Sequence, residues 1–300
     1  MIVAVCYGIV PMTGALFRRD MWRRFRNRFD DLRQRTLLNY RLYRQLPNNG
    51  LLAANDIFRF IGEIESITDG HTLWVRGEDL TVPVSLEKTK CYMLPQNKGK
   101  VPEAPIQIRW NTICTLTEGA KVFISGQLQM KDNRLSFCSS KENPLMVIFY
   151  NCPDDILPRE IISGSRTRWD YWNAVTPISL AAGALSLIYI AASLLGRPAF
   201  HLTVITAIIA VFIPILPIMP PGLLLTALHQ RFTLNATNLR ANWDLAKFGL
   251  LPDTKKQPLR RFDIRAYSLE VLAWIVLFIG IFINIVFIFL ILIQFEVITI

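Results

Sequence analysis

Residues 269–293 read LEVLAWIVLFIGIFINIVFIFLILI, 25 residues with Glu270 at one end and Asn284 as the only strongly polar group inside. As a helix the stretch rises about 37 Å, enough to cross a hydrocarbon core of about 30 Å with some tilt. It is the clearest of four apolar runs. Residues 173–196, NAVTPISLAAGALSLIYIAASLLG, carry no charge and gather small residues at Ala181, Ala182, Gly183, Ala184 and Ser186. Small residues let helix backbones approach closely in lipid, where packing replaces the hydrophobic drive. Residues 200–228 start with a helical pattern, then place Pro214, Pro217, Pro220 and Pro221 within eight positions. Proline lacks an N–H and clashes with the preceding turn. The expectation is a crossing helix that kinks near Pro214 and ends near Pro220 at the membrane surface, with Pro221 opening a new helix. A re-entrant segment is the alternative. The fourth run, residues 1–17, is at the short limit for a span. No basic residue precedes it and no small-residue cleavage site closes it, so an uncleaved anchor is expected.

The composition agrees with a membrane protein. Of the 300 residues 52% are apolar and 19% charged, which excludes a disordered chain. Five cysteines are too few for a disulfide scaffold.

Charge sets the expected orientation. Residues 18–47 hold ten arginines against three aspartates, a net of +7. Residues 230–268 hold eight basic residues against three aspartates, a net of +5. Loops rich in Lys and Arg stay on the cytoplasmic side. The amino terminus therefore points out and residues 18–172 lie inside. The chain crosses out and back around Arg197, exposes residues 230–268 to the cytoplasm, and leaves through the last helix. Residues 48–172 carry 14 basic and 15 acidic groups. The overall +10 therefore belongs to the membrane flanks, and a nucleic-acid partner, which needs a basic face, is not expected. Arg18, Arg19, Arg23, Arg24, Arg26 and Arg28 form the candidate membrane-surface site for anionic headgroups, with Trp22, Phe25, Phe29, Tyr40 and Tyr43 at headgroup level. The plainer alternative is a topogenic signal with no further role.

Residues 48–157 read as a β domain. Strands are expected at 57–66, 72–75, 81–84, 91–94 and 108–113. The best hairpin joins 120–129 to 134–139 through Lys131-Asp132-Asn133, and residues 144–150 suit a buried strand. Residues 95–107 and 158–172 read as loop and linker, with Ser163-Gly164-Ser165 flexible. The strand order resembles an OB-type barrel. A first strand with a mid-strand glycine (Gly62) leads to two more, and the end is a hairpin Val122, Ile124, Gly126, Leu128, then Arg134, Leu135, Phe137. Gly126 would allow the sharp bend that such a barrel needs. The layout is also similar to the domain between two membrane anchors in GIDE-type ubiquitin ligases. Those carry a C-terminal zinc RING, whereas this chain has no C-x-x-C and no cysteine after Cys152. The resemblance therefore implies no ligase activity here.

No catalytic, cofactor or metal site is expected. His71, His201 and His229 are scattered, the latter two at predicted membrane edges. Cys91, Cys114, Cys138 and Cys152 read as reduced, packed thiols. Phosphate-loop and dinucleotide signatures are absent. Glu63/Glu65 and Asp154/Asp155 are carboxylate pairs whose plainer reading is a solvated face. Asn284 is expected to make an interhelical hydrogen bond. Leu224, Leu228, Phe232, Leu239 and Trp243 share one face of a helix over 221–247, expected to dock on the β domain or lie flat on the bilayer. Docking would bury Trp243.

The expectation is thus a multi-pass α-helical cell-membrane protein of about four spans with a cytoplasmic, mainly-β, OB-like small barrel. Its segments are an anchor (1–17), an arginine-rich segment (18–47), the β domain (48–157), a linker (158–172), a two-helix membrane hairpin (173–229), a basic cytoplasmic segment (230–268) and a last helix (269–294). The expected function is a non-catalytic, membrane-anchored binding or scaffold module, whose partners are the bilayer, its anionic lipids and other membrane proteins or copies of itself. The alternative is a transporter or channel-associated subunit, with the proline-broken third run as its one transporter-like feature.

Overall fold

The computed structural model describes residues 1–46, 56–68, 71–87, 89–95, 103–109, 119–131, 134–166, 173–216, 222–250 and 259–294. The chain forms two compact units, Arg23–Ser165 and Met1–Trp22 with Arg166–Ile300.

The first unit is built on alternation. Strand β2 (Ile57–Thr68) turns Phe58, Phe60 and Ile64 inward. Strands β3 (Thr72–Arg76) and β4 (Thr81–Ser85) add Leu73, Val75, Val82 and Val84, each fully buried. Strand β7 (Lys121–Lys131) and strand β8 (Arg134–Cys138) form the expected hairpin and contribute Val122, Ile124, Leu128, Leu135 and Phe137. The ring β2-β3-β4-β8-β7 closes through antiparallel β2–β7 pairing, with a parallel contact between β4 and β8 at Val84 and Phe137. This is a closed five-strand barrel compatible with an OB-like fold.

β7 exceeds the barrel's needs. Residues 121–125 pair with β9 (Met146–Tyr150), and residues 127–131 with β8. The change of partner falls at Gly126, where a Cβ would run into the Leu145 side chain. Gly62, opposite Val122, is equally constrained, since a Cβ there would fall on the Arg76 carbonyl. Beyond β9 the sheet continues through β5 (Lys90–Met93) to β6 (Ile106–Ile108). The expected strand at 108–113 is thus this short edge at its start, and 110–113 lie outside the described residues, as do the turn residues 69–70 and 132–133 and most of the 95–107 loop.

The structure moves the start of this unit. The boundary falls between Trp22 and Arg23, within helix α1 (Val10–Arg33), and not near residue 47. Phe29 is fully buried with its ring edge-on to Phe123 at 5.5 Å, and Phe25 lies 4.7 Å from the Tyr92 ring. Strand β1 (Thr36–Leu37) pairs with β2, and helix α2 (Tyr40–Gln45), N-capped by Asn39, packs Leu42 and Tyr43 on the barrel core. The expected flexible linker is instead partly helix α3 (Leu157–Gly164), because Leu157, Ile161 and Ile162 are apolar at helical spacing and buried. Gly164 sits so close to the Glu103 carbonyl that no side chain fits.

The second unit is helical. Its α4 (Thr176–Leu194) and the 260–291 stretch of α7 (Leu259–Gln294) are long and apolar enough to cross a membrane. Only 22% and 17% of their most apolar stretches are buried in the protein. Phe278, Phe282 and Leu290 are all more than half exposed. A core helix of a water-soluble protein would be covered.

Four spans are therefore not supported among the described residues, since two helices qualify. The run 1–17 is a π-helical stretch (Ala4–Ile9) that passes straight into α1, and Arg18 ends its apolar length. The third run yields α5 (His201–Val211), 11 residues rising only about 16 Å. The chain leaves α-helical geometry before Pro214, and Pro217, Pro220 and Pro221 lie outside the described residues. The basic segment 230–268 is mostly helix: α6 (Leu223–Lys247) reaches into it from one side and α7 begins ten residues before the apolar run.

Candidate functional site

The arginines chosen as a membrane-surface site have different fates. Arg26 is 4% exposed, and its guanidinium donates to the Ser165 carbonyl at 3.2 Å. Arg28 is half-buried and donates to the Pro144 carbonyl. Both belong to the interior of the barrel unit and leave the candidate surface. Arg19, Arg23 and Arg24 are exposed, and Arg18 is half-buried. Phe25 and Phe29 are core residues and not headgroup anchors. One helix serves two environments, and the count of arginines alone does not separate its buried face from its exposed one.

A polar seam runs between α6 and α7, which lie antiparallel. At one end the Arg240 guanidinium pairs with the Glu270 carboxylate. His229, 9% exposed, places Nδ1 2.9 Å from the Ala273 carbonyl and its ring edge-on to Trp274. Further along, Asn284 is 2% exposed. Its Nδ2 donates to the Leu216 carbonyl and its Oδ1 accepts the Gly222 N–H at 3.4 Å. Thr226, Thr233 and Thr237 return their hydroxyls to carbonyls four residues back. Along the two helices Ala236, Ala241, Ala266 and Ala273 are buried, and Gly280 lies against Leu225; small residues let helices approach closely. The interhelical role expected of Asn284 is present. The expected stripe is not the packing face: Leu224 is 79% exposed and Trp243 half-buried, with the Lys247 ammonium 5.6 Å over its ring. Most of the buried α6 residues are small or polar, so a search for apolar periodicity passes over them.

A second small-residue contact joins α4 to the amino-terminal helix. Ser179 donates to the Cys6 carbonyl at 2.6 Å, and Asn173 to the Pro11 carbonyl at 3.0 Å. Gly183 receives the Tyr7 ring, since a Cβ there would stand 2.6 Å from it.

On the barrel, the outer face of β3 and β4 is the face that OB folds use for ligands. Its centre is Trp74, opposite Ser66 and Pro83, with the Arg134 guanidinium 5.9 Å from its ring. Glu63 stands across from Arg76, and Glu65 accepts from the Thr81 hydroxyl at 3.1 Å. A register shift falls between Ile64 and Ser66, at Glu65. Asp154 is also engaged, by the Lys121 ammonium at 3.0 Å and the Tyr150 hydroxyl at 3.1 Å. Among the described residues Glu63, Glu65, Arg76 and Arg134 put both signs of charge on this face.

Two cysteines hold raised thiols. Cys91 is fully buried, and burial pushes its thiol up to about 12. Burial, helped by Glu160 and Asp154, also raises Cys152. Cys114 lies outside the described residues. His71 and His201 are exposed. Among the described residues no three His, Cys, Asp or Glu are grouped to hold a metal ion.

Fold and surface thus define a class: a closed OB-like barrel on a chain with two helices fit to cross a membrane. Comparison with family models, curated proteins and solved structures finds no match for it.

Proposed function

We propose that the protein is a membrane-anchored, non-catalytic binding or scaffold module, with its OB-like barrel on the cytoplasmic side of the cell membrane. One observation carries the reading: the chain joins a closed barrel to α4 and α7, whose apolar surfaces are exposed. Such surface is stable in lipid and aggregates in water. The cytoplasmic side follows from the arginine-dense flanks, which the positive-inside rule keeps there. Exposed Arg19, Arg23 and Arg24 meet anionic headgroups in this reading.

The binding face is the β3–β4 surface around Trp74, and its mixed charge favours a protein partner over nucleic acid. Trp is a frequent anchor at protein interfaces. A photo-crosslinking residue in place of Trp74, read against one in place of exposed Lys141, tests this in cells. The reading expects one discrete adduct from position 74 and none from position 141. No adduct at 74, or turnover of a small substrate that is lost in a point mutant, contradicts it. The alternative, a channel-associated subunit, draws on the polar seam of α6 and α7, and solute flux in vesicles holding the pure protein would favour it.

A further inference from the structure

We infer that α5 and α6 are the two halves of one discontinuous membrane-crossing helix, broken inside the hydrocarbon, and that Asn284 is the latch that closes the break. The inference rests on the proposal that α7 spans a bilayer and goes beyond it.

The depth of the break follows from α7. Asn284 lies 15 positions past Leu269, where the apolar run begins, and nine before Ile293, where it ends. At 1.5 Å per residue this puts it about 22 Å from one end and about 13 Å from the other. Leu216 and Gly222 both bond to its side chain, so they share that depth. The break therefore does not sit at the membrane surface, where the prolines alone would place it.

The direction follows from the neighbours. Six residues separate the end of α4 from the start of α5, which packs against it, so α5 enters from the far end of α4. Its 11 residues reach about halfway back. α6 continues from there for 25 residues. It passes Glu270, at the start of the α7 apolar run, and ends with Asp244 paired to Arg166, which precedes α4 in the chain. A re-entrant loop would return to the side it came from, and this path does not.

The chemistry explains the asparagine. Helix ends leave carbonyls and N–H groups without intrahelical partners, and lipid offers none. Before Leu216 the chain already resorts to tighter turns, with Ile213 bonding to Ala210, Ile215 to Phe212 and Leu216 to Ile213. A primary amide is the side chain that both donates and accepts in one plane. Asn284 gives its donor to Leu216, five residues past the end of α5, and its acceptor to Gly222, the residue before α6 begins. Gly222 has no side chain because a Cβ there would occupy the position of the amide nitrogen.

Cysteine accessibility on the full-length protein in membranes tests this. Single cysteines are added as Arg197→Cys, Ile215→Cys, Leu224→Cys and Lys247→Cys, all at exposed positions, and read against the unmodified chain. Arg197→Cys should react with a membrane-impermeant maleimide from one side only, and Lys247→Cys from the opposite side only. Ile215→Cys and Leu224→Cys should react from neither side, yet with a lipid-soluble maleimide. Impermeant labelling of either one, or of 197 and 247 from the same side, overturns the inference. Release of the protein by an alkaline carbonate wash would instead overturn the membrane reading beneath it. Asn284→Leu and the milder Gly222→Ala should each lower the melting temperature in detergent by several degrees. No change in either removes the latch role.

Discussion

The buried guanidinium of Arg26 donates to the carbonyl of Ser165, 139 residues later in the chain. Ser165 is the last residue of the barrel unit and Arg26 lies three positions past its first. The contact therefore holds together the points where the chain enters and leaves that unit. A charged donor on a buried carbonyl is worth more than a neutral one. Replacing Arg26 with Ala should cost roughly 1–3 kcal/mol, because the carbonyl is left without this donor in a dry place. Arg24→Ala, at an exposed position, should cost no more than about 0.5 kcal/mol. Unfolding of the two variants in detergent, followed by a probe in the barrel, separates these outcomes. Equal losses would return Arg26 to the surface.

The burial of Phe29 makes a stronger demand. It is fully covered and edge-on to Phe123. Phe29→Ala should destabilise the barrel unit by roughly 3–5 kcal/mol. If residues 18–47 were only a headgroup-bound segment, the same change would alter lipid binding and leave barrel unfolding unmoved.

The two strand glycines should differ. A Cβ at Gly62 meets a backbone carbonyl, and one at Gly126 meets the end of a leucine side chain. Backbone cannot yield cheaply and Leu145 can rotate. Gly62→Ala should lower the melting temperature clearly more than Gly126→Ala, and the reverse order would contradict the register described.

Alkaline pH should loosen the barrel. The Cys91 thiol is pushed up to about 12 when folded, against about 8.5 in an unfolded chain. Between those values the unfolded state releases a proton that the folded state keeps, so stability falls as pH rises. Burial raises Tyr150 as well, which acts in the same sense. Denaturation midpoints measured from pH 8 upward should drop, and Cys91→Val should flatten part of that slope. An unchanged slope in the variant assigns the loss elsewhere.

Much of the barrel was legible in the sequence. Alternation placed the β7–β8 hairpin, and glycine chemistry marked Gly62 and Gly126 as special positions. The polar exception in an apolar run singled out Asn284. What hid the rest was the mixing of two signals in one element. In α1 the arginines masked Phe25 and Phe29, whose burial depends on a sheet formed a hundred residues later. In α6 the buried residues are His229, Ala236, Ala241, Asp244 and Leu245, while the apolar stripe is exposed at Leu224 and Leu228 and half-buried at Phe232, Leu239 and Trp243. Apolar period finds cores in water, and in lipid the rule inverts. The third run was read from its prolines alone, and the bonds of Leu216 and Gly222 to Asn284 carry no signal in that pattern.

The account turns on which side of the bilayer holds the barrel. Two reporters, one fluorescent only in the cytoplasm and one enzymatically active only outside it, can each be inserted after Lys131 in the full-length chain. The account predicts a fluorescent first fusion and an inactive second. Activity of the exterior reporter with a dark cytoplasmic one would contradict it.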